Sequence, residues 1–168
     1  TMDSCDGLVT NQVAQALLIC HADCQAAIFF DPKNRVVANI HCGWRGALKN
    51  IYQKTVSLLQ KNFNTNPNHL IVCISPSLGP NHSEFKEYKK MFPKKIWRYQ
   101  IKENHFNLWD LSLDQLLRAG VSSRNIEIAK MCSFEHSHLF HSYRKSKTLM
   151  RNATIVSLKK EAHNAKVY

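Results

Sequence analysis

A strand-to-helix turn at residues 41–46, which read His-Cys-Gly-Trp-Arg-Gly, constrains the fold of this chain more than any other segment. Residues 36–41 before it are mostly apolar and predict a buried strand that ends on His41. Residues 47–63 after it carry apolar side chains at the spacing of one amphipathic helix. The two glycines let the backbone of the turn approach a ligand closely. His41 is therefore a candidate functional residue rather than an ordinary core histidine.

Cys24 lies at a second strand boundary, directly after Ala22-Asp23. The apolar runs on either side of it, residues 14–20 and Gln25–Asp31, predict two strands. A turn-rich Asp-Pro-Lys-Asn sequence then predicts that Gln25–Asp31 forms a hairpin with residues 36–41. The thiol of Cys24 and the imidazole of His41 thus come from neighbouring strand ends. Such a pair either binds zinc or acts as a nucleophile with its base, and the spacing alone leaves both open.

The remaining segments predict a mixture of strands and helices. Strands are expected at residues 70–75, 126–131 and 153–158, and Ser83 is the expected N-cap of a helix over residues 83–92. Asn107 is the expected N-cap of another helix that stops at Gly120. Because strands and helices mix without strict alternation, the predicted fold class is α+β, a mixed-sheet α/β sandwich in a single domain over residues 1–168.

The composition indicates a globular chain of one domain with 168 residues, 44% of them hydrophobic. No apolar stretch approaches the roughly 20 residues that a membrane-spanning helix needs, and no secretory signal segment opens the chain. The sequence therefore predicts a cytoplasmic protein without a membrane partner. The six cysteines fit neither a zinc-finger spacing nor a disulfide framework, and Cys20, Cys42 and Cys73 are predicted to be buried core residues.

The net charge of +11 favours an anionic partner such as a nucleotide, phosphate or nucleic acid. No aromatic residues interleave with the basic ones in the manner of an RNA-binding motif, so a nucleic-acid site is disfavoured. The simplest interpretation is a solvated basic face. Its residues are Lys86, Lys89, Lys90, Lys94, Lys95, Arg98, Lys102, Arg144, Lys145 and Lys147.

Seven sequence blocks together resemble the signature of the YfiH-type laccase-domain family. They are Asp6-Gly7-Leu8-Val9-Thr10, Ala22-Asp23-Cys24, His41-Cys42-Gly43-Trp44-Arg45-Gly46, Ile74-Ser75-Pro76-Ser77-Leu78-Gly79-Pro80 with Glu84, Cys132-Ser133, Phe140-His141-Ser142-Tyr143-Arg144, and Met150-Arg151. The resemblance covers almost the whole chain. It implies a fold similar to that of the cysteine–histidine deamidases of cytotoxic-necrotizing-factor toxins. It also implies zinc-dependent phosphorolysis of purine nucleosides, with purine nucleoside and phosphate as substrates and adenosine deamination as a side activity.

The resemblance also assigns roles to three residues. It implies that Cys24 and His41 are metal ligands within the catalytic set and that Arg144 lies near the active site. Arg45, at the start of the predicted helix, is a candidate for holding phosphate. Trp44 is equally consistent with stacking on a purine base and with packing in the core.

The third metal ligand of the family is a histidine upstream of the Asp-Gly-Leu-Val-Thr block, and residues 1–5 contain no histidine. The chain is therefore expected to lack the N-terminal segment of the family and to bind zinc weakly. A version extended upstream through that histidine is expected to be more active. His21 would lie on the opposite face of an extended strand from Cys24. His82 lies in a loop where Asn81-His82-Ser83 replaces a Cys-Cys-Tyr run of the family. Neither histidine is predicted to replace the missing ligand.

Three alternatives to the phosphorylase remain open from the sequence. The first is a metal-free hydrolase or deamidase in which Cys24 is the nucleophile and His41 its base. The second is a non-enzymatic domain that binds a partner through the basic face. The third is a copper polyphenol oxidase, which is the weakest because the chain shows no set of two histidines, one cysteine and an axial ligand.

Overall fold

The computed structural model describes residues 5–160, which form nine strands and five α-helices. The strands are β1 (Gly7–Thr10), β2 (Leu17–His21), β3 (Gln25–Asp31), β4 (Val36–Cys42), β5 (Ile71–Ile74), β6 (Gln100–Lys102), β7 (His105–Phe106), β8 (Ile126–Ile128) and β9 (Asn152–Val156). The α-helices are α1 (Trp44–Leu48), α2 (Ile51–Phe63), α3 (Tyr88–Met91), α4 (Leu108–Arg118) and α5 (Tyr143–Ser146). Short 3₁₀ helices cover Pro67–His69, Lys94–Tyr99 and Ser123–Asn125.

A five-stranded sheet with the order β1-β4-β3-β5-β8 forms the centre of the molecule. Strands β5 and β8 pair in parallel, whereas the other neighbours pair antiparallel. The sheet is therefore mixed, and the predicted fold class is confirmed. The predicted hairpin is also present, since β3 and β4 pair along their full length. Gln25 is paired with Cys42 at one end, and Asp31 with Val36 at the other.

The central sheet is covered on both faces. On one face α2 and α4 pack their apolar sides, including the buried Tyr52, Leu59 and Leu116, against strand residues such as Phe29. On the other face β2 and β9 form a two-stranded ribbon. The side chain of Asn39, which is fully buried, donates its amide hydrogens across the layers to Leu17 O (3.1 Å) and Thr154 O (2.8 Å). This layering explains why β3 and β4 are almost wholly buried.

The prediction of one helix over residues 47–63 is wrong at its N-terminal end. Two helices, α1 and α2, replace it because Asn50 adopts the left-handed conformation, with φ 54° and ψ 54°. Asparagine tolerates this region better than most residues, so the backbone changes direction between the helices. As a result α1 has only five residues.

The helix predicted over residues 83–92 is also mostly wrong, since only Tyr88–Met91 is helical. Ser83 is fully buried and caps no helix. Its carbonyl instead accepts a hydrogen bond from Phe106 N (3.1 Å), and the N–H of Phe85 donates to Asn104 O (2.7 Å). Residues 83–85 are not helical because they pair with β7 and with the turn before it.

The predicted boundaries of α4 are confirmed. The side-chain oxygen of Asn107 accepts hydrogen bonds from Trp109 N (3.1 Å) and Asp110 N (3.2 Å), which satisfies free donors of the first turn. Gly120, just beyond the last turn, has φ +91°. A residue with a side chain would be strained there.

The prediction of three buried cysteines holds only for Cys42. Cys20 and Cys73 are exposed, because β2 and β5 each turn alternate residues to solvent. Within residues 5–160 the longest α-helix has 13 residues, and none of the helices is long and apolar enough to cross a bilayer.

Candidate active site

The side chains of Cys24 and His41 lie close together at one end of the neighbouring inner strands β3 and β4. Cys24 immediately precedes β3, and His41 on β4 pairs with Ala26 on β3. A Cβ atom placed on Gly43 would be 3.0 Å from Cys24 Sγ and 3.8 Å from His41 Nε2. The predicted proximity of thiol and imidazole is confirmed, and a side chain at position 43 would narrow the space between them.

The imidazole of His41 is held by Asp6, the first polar residue of the Asp-Gly-Leu-Val-Thr block. His41 Nδ1 is 3.1 Å from Asp6 Oδ1. A carboxylate at this position favours the tautomer in which Nδ1 carries the hydrogen. Nε2, on the side of Cys24, then keeps its lone pair for a metal ion or a proton. This is the arrangement in which carboxylates orient the histidine ligands of metal sites.

Burial raises the pKa of the Cys24 thiol above its ordinary value, and the neighbouring charge of Asp23 raises it further. The charge of Arg151 opposes this shift without cancelling it. Among the described residues no hydrogen bond joins the thiol to His41. The raised pKa favours the protonated thiol of Cys24, and a nearby cation would favour its thiolate.

Asp23 ties the loop that carries Cys24 to two later segments of the chain. Its Oδ1 accepts hydrogen bonds from Ser133 Oγ and Ser142 Oγ, both at 2.7 Å. Its Oδ2 accepts a hydrogen bond from the backbone N–H of Arg144 at 2.6 Å. Asp23 had no predicted role of its own, although both serines lie in sequence blocks that resemble the family.

A cavity of about 560 Å³ opens beside Cys24 and His41. Trp44, Tyr143, Arg144 and Arg151 contribute to its wall. The guanidinium of Arg144 is fixed by a hydrogen bond from Nη2 to Glu84 O (3.1 Å). The cavity has the size of a small-molecule site and combines two guanidinium groups with aromatic rings. Four of the five predicted site residues are thus brought together.

Arg45, the fifth predicted site residue, does not line this cavity. It contributes to an adjoining space of about 320 Å³ that also includes Cys24, His41 and Lys49. Its guanidinium carbon lies 4.2 Å from the centre of the Trp44 ring. Arg45 does not stand at the start of a long helix as predicted, since α1 has only five residues. Its role in binding an anion stays a prediction.

Trp44 packs in the core as well as lining the cavity. Its ring centre is 6.0 Å from that of Phe92 and 6.2 Å from that of Phe85. Packing of Trp44 against the core is therefore confirmed, and stacking on a purine base stays a prediction. Because the Arg45 guanidinium lies over its ring, stacking of a purine on that face requires Arg45 to move.

Cys24 and His41 supply the thiolate and imidazole donors that zinc prefers. His21 does not add a third ligand, because its ring nitrogens bind Cys24 O (2.9 Å) and Thr154 Oγ1 (3.0 Å). Within residues 5–160 the metal-type cluster of three ligands lies elsewhere, at His82, Cys132 and Glu135. No local spacing in the sequence predicted that cluster, and His82 alone of its members was a candidate ligand.

The chain is similar to curated proteins named purine nucleoside phosphorylase. It is 31% identical over 149 residues to the purine nucleoside phosphorylase of Bacteroides thetaiotaomicron. That alignment covers 83% of this chain and 55% of the relative. It is 29% identical over 157 residues to that of Campylobacter jejuni, covering 93% of this chain and 68% of the relative. The chain thus spans about half to two thirds of the length of these relatives.

Two solved structures share the fold. YlmD from Geobacillus stearothermophilus superposes with a TM-score of 0.83 at 26% identity, covering 94% of this chain and 62% of that one. The YfiH protein of Bacillus licheniformis superposes with a TM-score of 0.82 at 25% identity, covering 92% of this chain and 61% of that one. A family model described as multi-copper polyphenol oxidoreductase laccase matches residues 1–159. This chain therefore belongs to the laccase-domain family that this model describes.

Proposed function

We propose that this chain takes part in zinc-dependent phosphorolysis of purine nucleosides in the cavity beside Cys24 and His41. The observation that carries the proposal is the convergence of a thiol, a carboxylate-held imidazole and two guanidinium groups on one space of about 560 Å³. The names of the relatives support the reaction class. The high positive charge of the chain suits a phosphate substrate.

Phosphorolysis needs phosphate held beside the C1′ carbon of the ribose. A phosphate oxygen forms a bond to C1′ while the bond from C1′ to the purine nitrogen breaks, giving ribose 1-phosphate. The electron pair of the broken bond leaves with the base, which takes up a proton. Phosphate must therefore bind in a fixed orientation at the point where the base departs.

Arg144 and Arg151 are the residues proposed to hold that phosphate. A guanidinium group can donate two parallel hydrogen bonds to phosphate oxygens. Arg144 is already oriented by Glu84 O, at 3.1 Å, so little side-chain entropy is lost on binding. Arg45 and Lys49, in the adjoining space, would attract the anion toward the site. The aromatic rings of Trp44, Phe85 and Tyr143 offer apolar surface for the purine.

Cys24 Sγ and His41 Nε2 are the proposed zinc ligands, because they border the open space at Gly43 and Asp6 orients the imidazole. Bound zinc would supply Lewis acidity toward phosphate or water, the latter serving the proposed side reaction of adenosine deamination. The third ligand implied by the resemblance is an upstream histidine. Weak zinc binding by this chain stays a prediction. The donors do not favour a mononuclear copper oxidase site, which uses two histidines and a cysteine.

Arg144→Ala tests the phosphate site. We expect the KM for phosphate to rise about ten- to a hundredfold, because a charge-assisted hydrogen bond is lost, while the KM for the nucleoside changes little. The measurement is release of purine base at varied phosphate concentration. Arg124→Ala, which removes an exposed arginine outside the cavity, is the control. An unchanged KM for phosphate would exclude Arg144 from the site.

The alternative of a metal-free cysteine hydrolase is tested by alkylation. Because the pKa of the Cys24 thiol is raised, we expect iodoacetamide at pH 7 to modify metal-free Cys24 more slowly than a cysteine in an unstructured peptide. The rate should rise with pH as the thiolate forms. Peptide mapping separates Cys24 from the exposed Cys20 and Cys73. Fast alkylation at neutral pH would instead favour a thiolate activated by His41.

A further inference from the structure

A second group of metal-type ligands lies apart from Cys24 and His41. His82, Cys132 and Glu135 each offer one ligand atom, and these atoms all lie within 4.8 Å of one another. His82 Nε2 is 3.1 Å from Glu135 Oε1. Two turns bring them together, since His82 N donates to Gly79 O (3.0 Å) and His136 N donates to Cys132 O (2.9 Å). The cluster shares no residue with the proposed active site.

The side chains of His82 and Cys132 are held in place before any ion binds. The His82 ring stacks on Phe134 with centres 4.0 Å apart and an interplanar angle of 15°. Cys132 is 2% exposed, and its Sγ accepts a hydrogen bond from the backbone N–H of Gly79 at 3.2 Å. A Cβ atom on Gly79 would be only 2.9 Å from Cys132 Cβ. Glycine at position 79 thus permits the backbone to approach the sulfur closely enough to donate a hydrogen bond to it.

We propose that His82 Nε2, Cys132 Sγ and a Glu135 carboxylate oxygen bind a zinc ion, with water as the fourth ligand. Nitrogen, sulfur and carboxylate oxygen are the three ligand types that zinc combines in tetrahedral sites, whereas magnesium and calcium select oxygen alone. Binding releases the thiol proton to solvent, and the metal replaces the contact between His82 and Glu135. The partly exposed side chain of Glu135, at 47%, leaves a path for the ion and the water.

A metal ion at this site would stabilise one wall of the cavity beside Cys24 and His41. Glu84, two residues after His82, accepts the hydrogen bond that orients Arg144. Ser133, directly after Cys132, donates to Asp23 Oδ1. An ion that joins the turns at Gly79 and Cys132 would therefore fix two supports of the cavity without contacting a substrate. This role is structural and does not depend on the reaction proposed above.

The test is cobalt binding to the Cys24→Ala variant, in which the other proposed site has lost its sulfur ligand. Cobalt(II) replaces zinc and reports tetrahedral geometry and thiolate ligation by its absorption. We expect one cobalt per chain with a sulfur-to-metal charge-transfer band, displaced by zinc. Adding His82→Ala or Glu135→Gln should weaken binding at least about tenfold. Adding His138→Ala, an exposed histidine of the same loop, should leave it unchanged.

His82 and Glu135 are partly exposed, so their variants are expected to fold, and circular dichroism of the metal-free proteins checks this. Absence of cobalt binding by Cys24→Ala would overturn the proposal. Binding without the thiolate band would remove Cys132 from the ligand set and overturn it as well. Equal affinity for cobalt in the variants that carry His82→Ala and His138→Ala would also overturn the proposal. Each of these outcomes leaves the phosphorylase proposal standing, since that proposal rests on Cys24 and His41.

Discussion

We expect Cys24→Ala to lower kcat/KM for phosphorolysis of a purine nucleoside by about a hundredfold or more, which corresponds to about 2.7 kcal/mol of transition-state stabilisation. The thiol borders the same open space as His41 Nε2 and is one of only two zinc donors proposed there. Loss of one ligand leaves His41 alone to hold the metal. The measurement is the rate of base release at saturating phosphate and zinc.

Cys73→Ala is the matched control for that experiment. Cys73 is an exposed thiol on β5 and lies outside the main cavity, so its removal should change kcat/KM less than about twofold. Equal losses in the two variants would indicate a general effect of cysteine replacement. A Cys24→Ala protein with the parent activity would remove Cys24 from the mechanism under both the zinc and the metal-free hypotheses.

Asp23→Ala is expected to lower the free energy of unfolding by about 3 kcal/mol or more and to raise the KM for phosphate as well. The carboxylate accepts three hydrogen bonds, from Ser133 Oγ, Ser142 Oγ and Arg144 N. Hydrogen bonds to a charged group contribute about 1.5–3 kcal/mol each, and both serine side chains are buried. Urea denaturation measures the change in stability. Kinetics at a temperature where the variant is folded measure the KM for phosphate.

A positioning role for Asp23 is separated from a merely structural one by the conservative variant Asp23→Asn. Its amide oxygen can still accept from the two serines, but its NH₂ group faces the N–H of Arg144 and cannot accept from it. We therefore expect stability to recover in part, while the KM for phosphate stays raised because Arg144 is displaced. Recovery of both quantities together would indicate that Asp23 acts on stability alone.

Local patterns predicted the parts of the fold that local chemistry decides. The turn after Asp31 fixed the β3–β4 hairpin, and that hairpin brings Cys24 and His41 together. The Asn107 cap and the positive φ of Gly120 set the limits of α4. In each case the signal lies within a few residues of the structure it determines, so a single sequence is sufficient.

The errors arose where distant segments decide the outcome. Ser83 has the composition of a helix cap, yet its backbone pairs with Phe106. Cys73 lies in an apolar run, yet its face of β5 is exposed to solvent. The cluster of His82, Cys132 and Glu135 joins residues about 50 positions apart, a separation that no local spacing rule detects. The role of Asp23 was missed for the same reason, since its partners lie in later loops.

Product analysis tests the central claim most directly. The zinc-saturated chain is incubated with inosine and inorganic phosphate, with and without added imidazole to stand in for the third ligand. Phosphorus NMR then measures ribose 1-phosphate, and chromatography measures free base. The account predicts equal amounts of base and ribose 1-phosphate, no base release without phosphate, and loss of both products in Cys24→Ala. Base released together with free ribose, or no ribose 1-phosphate in either condition, would contradict it.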